Sequence, residues 1–204
     1  MSANPRYEIL KALPVYGPMY VPVTENDEPF FSEGFPVRFH ESDGTNWVAN
    51  FKPGWGSLFE VFDFPGHDKI VIFAGGITYV MTPNQTKPLL TFGSEINKVI
   101  QTDDGSLICA DNDSIIVLDN HTGEFWRSER ISWDGFQKLI LTGDILHGYT
   151  YDPMNINDEW PGFTLNIKSK ELTGGSYRNF IKASPAVPRI KLERENISTS
   201  WWKL

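Results

Sequence analysis

The chain has 204 residues and a formal charge of −8, with a sequence pI near 5.0, and its 18 basic residues form no run or stripe. That balance disfavours nucleic acid and anionic membranes as partners. At this length one large domain or two small ones can bury about 70% of the unfolded surface, and 17 Gly and 14 Pro favour many turns over long helices.

Residues 1–34 form an extended N-terminal arm. Pro5, Pro14, Pro18, Pro22 and Pro29 leave no room for a helix of ordinary length, although a short helical turn fits between Tyr7 and Leu13. Tyr7, Ile9, Leu10, Val15, Tyr16, Met19 and Val21 make the arm too apolar for a free tail, so it is expected to pack along the body.

The body, residues 35–180, is all β. Phe35 to His40 alternates apolar and polar residues, turns at Ser42-Asp43-Gly44-Thr45 and returns through Trp47 to Phe51, which is a hairpin. Leu58 to Phe64, Lys69 to Ala74 and Ile77 to Met81 follow as three strands separated by Pro65-Gly66-His67-Asp68 and Gly75-Gly76. Val99 to Thr102, Leu107 to Ala110 and Ile115 to Leu118 repeat that pattern. Asp103-Asp104-Gly105 and Asp111-Asn112-Asp113 serve as their turns. A polar turn, Asp119 to Glu124, then leads into extended Phe125-Trp126-Arg127. A third copy runs through Leu139-Ile140-Leu141, a turn at Gly143-Asp144, Ile145 to Tyr151 and Phe163 to Ile167 before a turn at Lys168-Ser169-Lys170, with an insertion at 152–159 where the other copies turn tightly.

Antiparallel units repeating at about 40 residues are the signature of propeller blades. Three copies and the opening hairpin make three to four blade-like repeats, so the expected architecture is an antiparallel meander, propeller-like or two-layered. Residues 181–204 read as a C-terminal tail, and Trp201-Trp202 at its end suits docking on the body or an interface.

The densest unusual stretch is Trp126 to Phe136, with two indoles, the guanidinium groups of Arg127 and Arg130, and the carboxylates of Glu129 and Asp134. Arg recognises carboxylates through a planar fork and stacks on indoles, so Trp126, Arg127, Arg130, Trp133 and Asp134 are candidate ligand or partner residues. The more ordinary reading of the same residues is an inter-sheet connection, with Trp126 and Trp133 filling core space and the arginines paired to Glu129, Glu124 or Asp134. The insertion adds Tyr151, Asp152 and Trp160, with Asp158 and Glu159, as a binding loop. Carboxylates beside aromatics also furnish carbohydrate sites, where an acidic pair acts as acid and base.

The four histidines are isolated and no Cys-x-x-Cys or His-x-x-x-His spacing occurs, so neither a metal nor a cofactor is expected. No phosphate loop, dinucleotide fingerprint or nucleophile elbow is present. Cys109, the one cysteine, lies on an apolar strand and is expected to be a small buried hydrophobe. With no signal-peptide pattern at the N-terminus and no long apolar run, a cytoplasmic protein is expected.

Trp47 to Phe51, Ala74-Gly75-Gly76, the motif W-x-S-x-R-I-S-W-D-G-F from Trp126 to Phe136, Tyr151-Asp152-Pro153 and Gly174-Gly175-Ser176-Tyr177 together resemble a family of uncharacterised bacterial proteins. The likeness spans roughly 47–177 and implies an all-β body without an established activity. The Asp119 to Glu124 turn followed by Trp126 is also similar to the blade endings of quinoprotein-type propeller repeats. A full ring of such blades is missing, so no quinone is expected.

The resulting expectation is a non-enzymatic cytoplasmic binding protein that recognises another protein or a small ligand through the loops around Trp133 and Trp160. In its specific form it is an immunity-type protein that neutralises a basic toxin domain. The alternatives are a carbohydrate-active or other hydrolytic enzyme using Asp134, Asp152, Asp158 or Glu159, and a structural β subunit that forms a homo-oligomer through open sheet edges.

Overall fold

The computed structural model describes residues 5–17, 19–157 and 159–183. The expected tail at 184–204, with its tryptophan pair, lies outside the described residues.

Four four-stranded sheets follow one another along the chain. The first holds β1 (Tyr7–Ile9), β2 (Val21–Val23), β3 (Phe35–His40) and β4 (Asn46–Phe51) in the order β1-β3-β4-β2. The second is the meander β5 (Phe59–Phe64), β6 (Lys69–Ala74), β7 (Ile77–Met81) and β8 (Leu90–Phe92). The third is β9 (Lys98–Gln101), β10 (Leu107–Ala110), β11 (Ile115–Leu118) and β12 (Phe125–Arg127). The fourth is β13 (Phe136–Thr142), β14 (Ile145–Thr150), β15 (Gly162–Asn166) and β16 (Leu172–Gly174), after which α1 (Ser176–Ala183) closes the described chain. The all-β, blade-like architecture of the repeats is as the strand pattern requires.

Two local expectations change. Tyr7–Ile9 is a strand, not a helical turn, because it pairs antiparallel with β3, Glu8 opposite Arg38, and an ion pair joins those two side chains. The second and fourth sheets also gain a short outer strand, β8 and β16, whereas β12 is the extended segment that the sequence pattern places there. The arm contributes two of the strands of the first sheet: β1 takes one edge, and β2 runs parallel to β4 at the other. The chain between them therefore crosses the sheet. The Asn50 side chain, fully buried, ties the arm down by donating to the Ser32 carbonyl (2.9 Å) and accepting from the Gly34 amide (2.8 Å). Arg6 fastens the other end to the second sheet through Asp63 (3.2 Å) and Asp68 (2.6 Å).

Period-two alternation puts one face of each strand into a shared core. Phe39, Phe51, Ile72 and Tyr79 fill the layer between the first and second sheets. Phe73, Leu107, Cys109 and Ile116 fill the next, and Ile108, Ile115, Leu146 and Leu165 the one between the third and fourth. β10 and β11 are buried throughout because each side of the third sheet faces a neighbour. Among the described residues no apolar cluster joins the fourth sheet to the first, so the sheets form an open series. The outer face of the fourth sheet carries Lys138, His147, Tyr149 and Thr173 beside Ile140, all exposed, so it mixes polar and apolar side chains.

Burial pushes the Cys109 thiol well above its ordinary range, with Asp111 adding to the shift. Cys109 should therefore resist a disulfide reagent in the native protein and react once denaturant unfolds it. Rapid labelling under native conditions would contradict the packing of the second layer.

Candidate functional site

The meander sends alternate turns to opposite ends of the stack, and the eight candidate residues divide between them. Seven belong to the end formed by the segments 111–114, 128–135 and 151–161. There Arg127 makes two 3.0 Å contacts to Asp111 Oδ2 and donates to the Ser114 hydroxyl (2.7 Å). The Arg130 guanidinium lies between Trp133 (5.2 Å) and Tyr177 (4.5 Å) while donating to the carbonyls of Ser132 and Trp133. Trp133 also packs edge-on against Tyr177 and Phe180 of α1. Tyr151 meets Trp160 at 5.4 Å, and its backbone carbonyl accepts from the Ser176 hydroxyl (2.6 Å). Asp134 is exposed; Asp152 caps its own turn by accepting from the Met154 amide (3.0 Å). Asp158 lies outside the described residues, and Glu159 is exposed.

This end is thus largely self-satisfied, except that the buried Trp133 Nε1 has no hydrogen-bond partner among the described residues. The carboxylates that meet the arginines are Asp111 and Asp113, while Glu129 pairs with Arg178 of α1 (3.1 Å). Trp133 and Arg130 hold α1 on the fourth sheet.

Trp126 stands apart. Opposite Val117 on the edge strand β12, it turns toward the fourth sheet and lines a cleft of about 960 Å³. All four turns at the other end of the third and fourth sheets, at 102–106, 119–124, 143–144 and 167–171, contribute to this cleft. Its walls are apolar, from Ile100, Val117, Leu139 and Ile167, and its rim carries Asp103, Asp104, Asp119, Glu124 and Asp144 against Lys168 and Lys170. Carboxylates outnumber cations there. A smaller, mostly apolar pocket of about 310 Å³ opens beside it between the second and third sheets, sharing Phe125 and Asp119.

The rim carboxylates fall into two kinds. Asp119 Oδ1 accepts from the amides of His121 (2.7 Å) and Thr122 (3.0 Å), Asp144 pairs with Lys168 (2.9 Å), and Asp104 accepts from the Thr102 hydroxyl and the Ser106 amide. Asp103 and Glu124 have no hydrogen-bond or ion-pair partner on their carboxylates among the described residues and face solvent. No group of three or more His, Cys, Asp or Glu able to hold a metal occurs among the described residues.

The Thr102 hydroxyl, followed by the Ser106 amide, lowers the Asp104 carboxyl to about 2. A depressed acid stabilises the fold above its unfolded value of about 4, and that contribution is lost as pH falls from there through the folded value. Asp104→Asn should therefore flatten the loss of stability between about pH 4 and pH 2, read as the urea midpoint against pH. An unchanged slope would show that the turn does not hold this carboxylate. Asp63 has the opposite sign: burial raises it despite Arg6, so its contribution improves on acidification.

The sequence pattern assigned the rim residues to turns, which they are. What it did not supply was their convergence, although turns in the same position of successive repeats necessarily share one end of a blade stack.

No family model and no curated protein matches the chain. Among solved structures, the chain is similar to the extracellular domain assigned to a one-component system, BT4673, from B. thetaiotaomicron, with a TM-score of 0.39 and 8% identity over 76% of this chain. The match spans 25% of that longer chain. No helix among the described residues is long and apolar enough to cross a membrane.

Proposed function

We propose that the protein is a non-enzymatic, cytoplasmic binding protein whose partner is a basic protein, and that the cleft between the third and fourth sheets receives it. The observation that carries this reading is an inter-sheet cleft of about 960 Å³ with an indole in its wall and two rim carboxylates, Asp103 and Glu124, that have no partner among the described residues. Exposed carboxylates attract a cationic partner at long range and speed its encounter, while the apolar walls supply area to bury on docking. The adjoining apolar pocket offers a second anchor point. An immunity-type role, in which this acidic end neutralises a basic toxin domain, is the specific form of the reading.

The test is affinity capture from the native host's lysate, with the wild-type chain and an Asp103→Asn, Glu124→Gln variant, at low and high salt. A stoichiometric basic partner is expected for the wild type, weakened by both salt and the variant. A partner retained equally under all conditions, or none at all, would overturn the proposal.

A further inference from the structure

The cleft contains a feature that general acidity does not explain. Lys170 Nζ lies 5.3 Å from the centroid of the Trp126 ring. Its neighbour Lys168 pairs with Asp144 at 2.9 Å, whereas Lys170 has no carboxylate partner among the described residues and rests on the indole. The backbone around it is set by other groups: Asn166 accepts from the amides of Lys168 (2.9 Å) and Ser169 (2.8 Å) through its side chain and from Lys170 (2.8 Å) through its carbonyl. Lys170 itself has φ of 64°, a left-handed conformation that glycine or asparagine adopts more readily. The turn thus gives no local reason for a lysine.

We infer that the Trp126 face is a seat for an incoming ammonium or guanidinium group, occupied by Lys170 until the ligand displaces it. This deepens the proposed function and rests on the same cleft. An exposed lysine makes only a weak contact with an indole. A guanidinium stacks flat on such a ring and leaves its edge free for carboxylates, and Asp103 and Glu124 line the same cleft with theirs unpaired among the described residues. The cation has two possible sources, a free polyamine or a basic side chain of a partner protein.

Calorimetric titration of the full chain with spermidine, and separately with a short capped arginine-rich peptide, tests the seat. Lys170→Gly removes the competing cation from the ring, whereas Lys168→Gln removes an equal charge from the rim and also frees Asp144. Lys170→Gly should tighten binding about 3- to 5-fold more than Lys168→Gln does, corresponding to the loss of an exposed cation–π contact. Trp126→Leu should lose that gain and weaken binding about tenfold, and Trp126→Phe, which keeps a ring, should recover part of it. Spermidine binding alone assigns the seat to a polyamine, and stronger peptide binding assigns it to a basic protein segment. Equal effects of the two lysine variants, wild-type binding by a folded Trp126→Leu, or no binding of either probe would overturn the inference. A failed lysate capture alongside spermidine binding with this variant pattern would remove the protein partner while leaving the seat intact.

Discussion

Phe73→Ala is expected to lower the stability of the protein by about 3–5 kcal/mol. Phe73 is fully buried on β6, packs edge-on against Phe62 at 5.9 Å, and belongs to the layer that joins the second sheet to the third. Among the described residues no other apolar layer joins the second sheet to the third, so a cavity there is not compensated elsewhere. The expected loss is a large share of the roughly 5–15 kcal/mol by which domains are ordinarily stable. Urea denaturation of both proteins measures it, and a loss below about 1 kcal/mol would show that this layer collapses around the cavity or is not packed as described.

Gly174→Ala is expected to cost about 2–5 kcal/mol, combining a left-handed backbone with an overpacked contact. Gly174 ends β16 with φ of 75°, and a Cβ there would lie 2.3 Å from the Gly162 carbonyl oxygen and 3.1 Å from Phe163 Cα, both on the paired strand. The strain falls where the chain leaves the sheet for α1. Hydrogen exchange should accordingly rise first at β16 and at the Tyr177 amide, which donates to the Ile131 carbonyl at 3.0 Å. A stability unchanged by the substitution would contradict the close approach of β15 and β16.

The long central strands were legible because two-residue periodicity and the Asp-Gly and Gly-Gly turns between them are local signals. Ile70 to Ala74 and Ile115 to Leu118 lie in strands where those signals place them. The outer strands β8, β12 and β16 have three residues each, too few for a period to register, and only Phe125-Trp126-Arg127 reads as extended. β1 and β2 pair with strands far along the chain, so composition indicated that the arm packs but not that it completes a sheet. The helix α1 follows a Gly-Gly pair that reads as loop, and its place depends on Trp133 and Arg130 from another segment.

The candidate residues show the same division. Trp126 and Trp133 are seven positions apart in one conspicuous motif, yet one lines the inter-sheet cleft and the other packs against α1. Sequence proximity groups them, but Trp126 lies on β12 and Trp133 in the connection that follows it. Asp103, Glu124 and Lys170 were legible only as turn residues, because the convergence of turns from different repeats is a tertiary fact.

The most direct test of the account is hydrogen–deuterium exchange of the protein with and without its captured basic partner. The account predicts new protection in the turns 102–106, 119–124, 143–144 and 167–171 that surround the cleft. Protection confined to 128–135 and 151–161, around Trp133 and Trp160, with the cleft turns unchanged, would contradict it.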